Sequence, residues 1–118
     1  MKSEHRAEFR ALLEEHRASV VQARRRGGED LSELASARSA ATADDEHDPE
    51  GTTISEEWSR LTGIDAEARA ELSAIDAALA RLDADEYGVC VSCGRGIPVA
   101  RLRVRPTATM CVECASRR

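Results

Sequence analysis

The sequence predicts a mainly α fold: a long antiparallel helical hairpin of the coiled-coil type, followed by a small C-terminal module built on four cysteines. Three observations carry this reading. Apolar residues recur in alternating steps of four and three along two stretches of similar length. A Pro- and Gly-bearing acidic segment separates those stretches, and two CxxC pairs close the 118-residue chain. Composition agrees. Phe9, Trp58 and Tyr87 are the only aromatic residues and 33% of the chain is charged, which is thin material for a globular core. Ala, Glu, Arg and Leu dominate instead, as in long helices. The expected division is a helical hairpin over residues 1–86 and a finger over residues 87–118.

In the first helix Phe9, Leu13, His16, Val20 and Ala23 form a seam, and Leu31, Leu34 and Ala41 continue it almost in phase. Between them lies RRRGGED, with Gly27 on the seam. Two adjacent glycines cost a helix about 1 kcal/mol each relative to Ala. The near-continuity of phase nevertheless favours a bent but continuous helix.

The segment ATADDEHDPEGTT follows. Pro49 and Gly51 argue against helix here and predict a turn, which makes the two helices antiparallel. Asp44, Asp45, Glu46, Asp48 and Glu50 then gather at the hairpin tip, with no Lys or Arg between Arg38 and Arg60 to offset them. A solvated turn with capping carboxylates and a functional acidic tip are both open readings of this cluster.

The second helix is expected from Ser55 to Asp85, with Thr53 or Ser55 as N-cap and Glu56 and Glu57 in the first turn, where acids suit the helix dipole. Ile54, Trp58, Leu61, Ala68, Leu72, Ile75, Leu79 and Leu82 keep the heptad rhythm of a coiled coil. Asp65 is the one polar interruption, and Ile64 beside it is a candidate to take over that layer.

The closing segment reads YGVCVSCGRGIPVARLRVRPTATMCVECASRR. Cys90, Cys93, Cys111 and Cys114 form two CxxC pairs separated by seventeen residues. A CxxC turn lets two sulfurs reach one ion, and four thiolates suit tetrahedral Zn²⁺. Four protein ligands leave no open position, so the predicted zinc is structural. An iron–sulfur cluster, a redox dithiol or inert cysteines are the alternatives. Gly94 suits a knuckle that needs positive φ. Arg95, Arg101, Arg103 and Arg105 crowd the loop between the pairs. They are candidates to meet phosphates or an acidic protein surface. Equally, some could pair with Asp83, Asp85 or Glu86 of the second helix.

The net charge of −5 is unevenly spread: residues 88–118 carry six Arg and one Glu, a net of +5, leaving −10 on residues 1–87. An acidic body disfavours non-specific nucleic-acid binding by the whole chain. The start MKSEHRAEFR has no apolar h-region, and no run approaches the roughly 18 apolar residues of a membrane span, so a soluble cytoplasmic protein without a membrane partner is expected. His5, His16 and His47 are scattered, and no catalytic triad, phosphate loop or HExxH pattern occurs. Enzyme activity is not expected.

The finger resembles that of the DksA/TraR family of bacterial RNA polymerase regulators. Tyr87-Gly88, Cys93-Gly94, Ile97-Pro98, Arg101-Leu102, Arg105-Pro106 and the closing Cys pair all match that family's pattern, and so does the order of parts: helical hairpin, charged tip, finger. The cysteine spacing alone is shared with GATA-type DNA-binding fingers. Those continue into a basic tail, whereas this chain has only four residues after Cys114.

The resemblance implies a regulator that binds RNA polymerase without reading DNA. It would insert the coiled coil into the secondary channel, so that tip acids near the active site. Asp44, Asp45, Asp48 and Glu50 become the candidate polymerase-contacting residues, and Arg95, Arg101 and Arg105 the candidate basic contacts. The family tip motif D-x-x-D-x-A is matched by Asp45 and Asp48, but Glu50 stands where Ala would be. Members that respond to the alarmone ppGpp use basic residues on the second helix. Glu71 to Leu79 contains none, so ppGpp dependence is not expected, although Arg101 and Arg105 occupy family-like positions. The family's extra C-terminal helix is reduced here to Ala115–Arg118. A sequence-specific DNA-binding finger, and a helical adaptor or homodimer whose finger caps the coil, are the competing readings.

Overall fold

The computed structural model describes residues 1–42 and 49–117, the side chains of residues 41, 42 and 49–52 excepted. Among the described residues four helices follow one another: α1 (Ser3–Thr42), α2 (Pro49–Asp83), α3 (Val99–Val104) and α4 (Val112–Ser116). The first two are the arms of an antiparallel hairpin and the last two belong to the cysteine module. No helix among the described residues is long and apolar enough to cross a membrane.

One boundary departs from the sequence expectation, and the continuity expected of the first helix is found. Helix α2 begins at Pro49, six residues ahead of the expected Ser55, so Thr53 and Ser55 lie inside the helix and not at its N-cap. The reason is positional. A proline at the first helical residue lacks only an N–H that would have no intrahelical partner, and its fixed φ already suits the helix. Helix α1 passes through Gly27 and Gly28 without a break. A Cβ at either glycine would meet no atom within 4 Å, so neither marks a close approach of backbones.

Packing divides the chain into two compact units, one of Met1–Ala18 with Leu72–Arg118 and the other of Ser19–Glu71. The first holds every fully buried apolar side chain among the described residues: Phe9, Leu13, Ile75, Ala78, Leu82, Tyr87, Cys90, Ile97, Leu102 and Ala108. Three layers meet there, supplied by α1, α2 and the finger. Phe9 lies against Tyr87 with ring centroids 5.5 Å apart and tilted by 44°, a favoured aromatic arrangement. The Tyr87 hydroxyl donates to the Pro106 carbonyl at 2.7 Å, which ties the finger loop to the same core. Burial pushes this phenol up to about 12. Outside the core, α1 offers arginines and α2 answers with aspartates. Arg10 donates to Asp83 at 2.6 Å and Arg17 to Asp76 at 2.8 Å, while Arg6 reaches the Leu82 carbonyl at 3.1 Å.

Helix α2 ends in a Schellman-type turn. The Glu86 N–H donates to the Arg81 carbonyl at 2.8 Å and the Asp85 N–H to the Leu82 carbonyl at 3.2 Å, with Asp85 itself at φ 61°. This turn satisfies carbonyls that the helix end would leave orphaned. It also swings the chain from α2 into the cysteine module.

In the second unit the seam is two helices wide and no residue is fully buried. Val20, Val21, Arg24, Gly27, Leu31 and Leu34 of α1, with Ile54, Trp58, Leu61, Asp65 and Ala68 of α2, are all half-buried. Two seam assignments on α1 fail. His16 and Ala23 are exposed, because the stripe drifts round the helix to Leu12 and Arg24 over those turns. On α2, Ile64 does not replace Asp65: it is 48% exposed. Asp65 keeps the seam position because it is neutralised there. Arg24 Nε donates to its Oδ1 at 2.9 Å, and Arg69 donates to its Oδ2 through Nε at 2.9 Å. The two guanidinium groups, Arg24 first, hold the Asp65 carboxyl below its ordinary value.

Candidate metal centre

The first knuckle is built by a tight turn after Tyr87. Gly88 at φ 82° and Gly94 at φ 76° take left-handed conformations that a side chain disfavours. Between them the Cys90 N–H donates to the Arg95 carbonyl at 2.8 Å and the Gly94 N–H to the Cys90 carbonyl at 2.9 Å. Ile97 N–H donates to the Gly88 carbonyl at 2.7 Å, and Val89 pairs with Gly96 as an isolated antiparallel bridge. The second knuckle arrives through the Val91 N–H, which donates to the Thr109 carbonyl at 2.9 Å. Cys111 then precedes α4, which carries Cys114.

Folded this way, the chain brings the Sγ atoms of Cys90, Cys93, Cys111 and Cys114 within 4.8 Å of one another. Cys93 and Cys111 Sγ stand 3.9 Å apart. Four sulfurs on a tetrahedron with Zn–S near 2.3 Å would be separated by about 3.8 Å. A disulfide needs about 2.05 Å, and all four cysteines are free thiols. The donor set fits zinc and closes its coordination sphere, so the metal here is structural. Backbone N–H groups of Cys111 and Cys93 aim at Cys90, holding that thiol down to about 6 and favouring the thiolate that a metal needs. Shared hydrogen bonding with the Cys111 thiol pushes Cys114 up. Cys90 is buried, Cys111 and Cys114 are half-buried, and Cys93 is exposed.

The finger arginines separate by role. Arg101 Nε donates to the Met110 carbonyl at 2.9 Å, holding the approach to the second knuckle. Arg103 crosses to α1 and binds Glu8. None of Asp83, Asp85 and Glu86 receives a finger arginine in the ion pairs formed among the described residues. Asp83 and Asp85 instead face Arg10 and Arg6 of α1. Arg95 and Arg105 are exposed.

Of the expected tip residues, Asp44, Asp45 and Asp48 lie outside the described residues, as does Glu46. Glu50 is placed by its backbone in the first turn of α2. The clamp partner Glu8 went unnoticed in the sequence. Its only signal was an acid one residue before the seam Phe9, which many helices show.

Residues 85–118 match the family described as prokaryotic dksA/traR C4-type zinc finger. Among curated proteins, the RNA polymerase-binding transcription factor DksA of Haemophilus influenzae is 43% identical over 63 residues, which are 52% of this chain and 43% of that protein. The protein of the same name from Caulobacter vibrioides is 50% identical over 46 residues, 39% of this chain and 32% of that one. The chain thus spans less than half the length of these curated relatives. Among solved structures, transcription factor DksA2 from Pseudomonas aeruginosa superposes with a TM-score of 0.83 at 26% identity, over 98% of this chain and 84% of that one. The RNA polymerase binding protein and transcriptional regulator Dks from Chlamydia trachomatis shares the fold at a TM-score of 0.54 and 21% identity, over 99% of this chain and 90% of that one.

Proposed function

We propose that this chain, which belongs to the DksA/TraR family, is a transcription regulator that binds RNA polymerase and reaches its active-site region through the secondary channel. The observation that carries the reading is the pairing of a four-thiol finger with a helical hairpin in one chain, alike over nearly its whole length to DksA2. Zinc shapes the finger and takes no part in chemistry. The hairpin tip supplies Asp44, Asp45, Asp48 and Glu50. Carboxylates in that position are suited to meet Mg²⁺ or basic residues, both of which prefer anionic oxygen. The protein acts as a regulator without a reaction of its own, in the cytoplasm where the polymerase works.

Arg95 and Arg105, exposed on the finger, are the cationic groups we assign to the polymerase surface. Arg101 lines a surface hollow together with Arg105, but its Nε is spent on Met110, so its loss acts first through the loop. With no basic residue between Glu71 and Leu79, regulation is expected to proceed without ppGpp. The boundary we adopt places the polymerase-entering hairpin in residues 1–86 and the finger in residues 87–118.

Purified bacterial RNA polymerase provides the test. The unmodified protein should co-purify with it and alter promoter-complex lifetime in transcription in vitro, equally with and without ppGpp. Asp45→Asn/Asp48→Asn should retain binding and lose the effect on transcription. Absence of any association overturns the reading, and unchanged transcription by the double variant overturns the role of the tip. Binding of a DNA duplex with steep salt dependence and no binding of polymerase would point instead to a DNA-reading finger.

A further inference from the structure

We propose that Arg24 and Asp65 form a register lock within the second unit: the pair fixes which residues of the second half of α1 face the first half of α2, and does so at a cost in stability. The proposal rests on the hairpin itself and not on the polymerase reading.

The apolar seam repeats every seven residues, so sliding one helix by a heptad brings apolar residues opposite apolar residues again. The exposed ion pairs share the same degeneracy. Arg10 and Arg17 are seven residues apart, and so are their partners Asp83 and Asp76. Sliding by a heptad in one direction pairs Arg17 with Asp83, and in the other pairs Arg10 with Asp76. This ladder does not distinguish the native offset from its neighbours; in the first unit the finger, held to α1 through Glu8 and Phe9, does so instead.

Arg24 and Asp65 do distinguish it. One offset sets Asp65 opposite Leu31 and Arg24 opposite Leu72, and the other sets Arg24 opposite Trp58 while Asp65 meets Arg17 in its place. Asp65 has 19% side-chain exposure, against 35–75% for its partners Arg24 and Arg69 and for both members of the pairs Arg6–Asp85, Arg10–Asp83, Arg17–Asp76, Arg60–Glu57 and Arg103–Glu8. Stranding a charge at a half-buried seam position is costly, whereas replacing both partners with apolar residues of similar volume is often neutral or stabilising. Arg69 also binds Asp65, but it sits four residues along the same helix. It travels with Asp65 under any offset, so the discrimination comes from Arg24. Ile64, exposed beside Asp65, shows that an apolar residue was one position away from filling this layer.

The test uses the full zinc-loaded chain and compares Arg24→Leu/Asp65→Leu with Asp65→Asn, by urea unfolding and by two-dimensional amide NMR over residues 20–34 and 57–68. The Leu/Leu variant is expected to unfold at the same urea concentration as the unmodified protein or a higher one, while its amide signals double or broaden as offsets exchange. Asp65→Asn keeps an acceptor for Arg24 and should show one set of signals with a lowered midpoint. A single sharp set with native interhelical contacts in the Leu/Leu variant overturns the lock, because the seam alone would then suffice. Loss of helical structure in that variant also overturns it, since the pair would be needed for folding and not for register.

Discussion

Arg103 of α3 holds Glu8 of α1 with two hydrogen bonds, Nε to Oε2 at 2.8 Å and Nη2 to Oε1 at 3.2 Å, across 95 residues of sequence. The fork of a guanidinium matches both carboxylate oxygens at once. With Phe9 against Tyr87 one residue further along α1, this contact docks the finger on the first helix. The hydrogen bonds from Arg103 lower the Glu8 carboxyl from its ordinary value of 4.5.

A carboxyl lowered in the folded state stabilises above its unfolded value and loses that contribution as pH falls through the folded one. Glu8→Gln should therefore unfold slightly more easily than the unmodified protein at pH 7. The difference should shrink progressively as the pH is taken below 4.5. Both partners are solvated, so the effect is small and weakens in high salt. Urea midpoints of the two proteins across pH, at low and high salt, check it.

Removing zinc should unfold the finger while leaving helical signal in the hairpin. Little else holds the two knuckles: between them only Ile97, Leu102 and Ala108 are buried. Cys93→Ser or Cys114→Ser should cut bound zinc from one per chain to near zero. Metal uptake should release protons and tighten as pH rises, because the bound form is thiolate and the Cys114 thiol is pushed up. Metal analysis, and titration calorimetry in two buffers of different ionisation enthalpy, read these out.

Truncation in the two units should differ sharply. Ile75→Ala or Leu82→Ala empties a site with at most 1% exposure and should cost about 2–5 kcal/mol. Leu61→Ala removes a half-buried side chain of the second unit, where the loss is on the order of 1 kcal/mol. Equal costs would show that the half-buried seam packs more tightly than its exposure suggests.

Asp85 occupies the left-handed position that ends α2, at φ 61°. Glycine has no Cβ to strain there. Asp85→Gly should stabilise the protein by about 0.5–1 kcal/mol, despite losing a 3.6 Å contact with Arg6 that is solvent-exposed. Thermal unfolding at neutral pH measures it, and a loss of stability would mean the carboxylate matters more than the backbone.

Much of this molecule was written in local pattern. The alternating four-three steps gave both helices, the short Pro- and Gly-bearing segment between them gave their antiparallel pairing, and the CxxC pairs gave the metal ligands, since ligand chemistry demands those side chains at that spacing. Other features were not legible. Pro49 looked like the end of a turn and is the start of a helix, because proline's cost depends on whether its missing N–H would have had a partner. His16 and Ala23 fitted an ideal repeat, but the real stripe turns slowly round α1 and leaves them in water. Asp65 looked like a flaw to be covered by Ile64, and pairing with Arg24 makes it part of the seam.

The sequence by itself determined which residues could ligate a metal, which faces of the helices are apolar, and that an acidic segment joins them. These depend on side-chain type and on helical or knuckle spacing, which are short-range. Only the tertiary structure decided that Arg103 serves Glu8, that Arg101 serves Met110, and that Asp65 is neutralised from across the seam. An arginine can answer any acid within reach of its long side chain, and which acid that is depends on how distant segments pack.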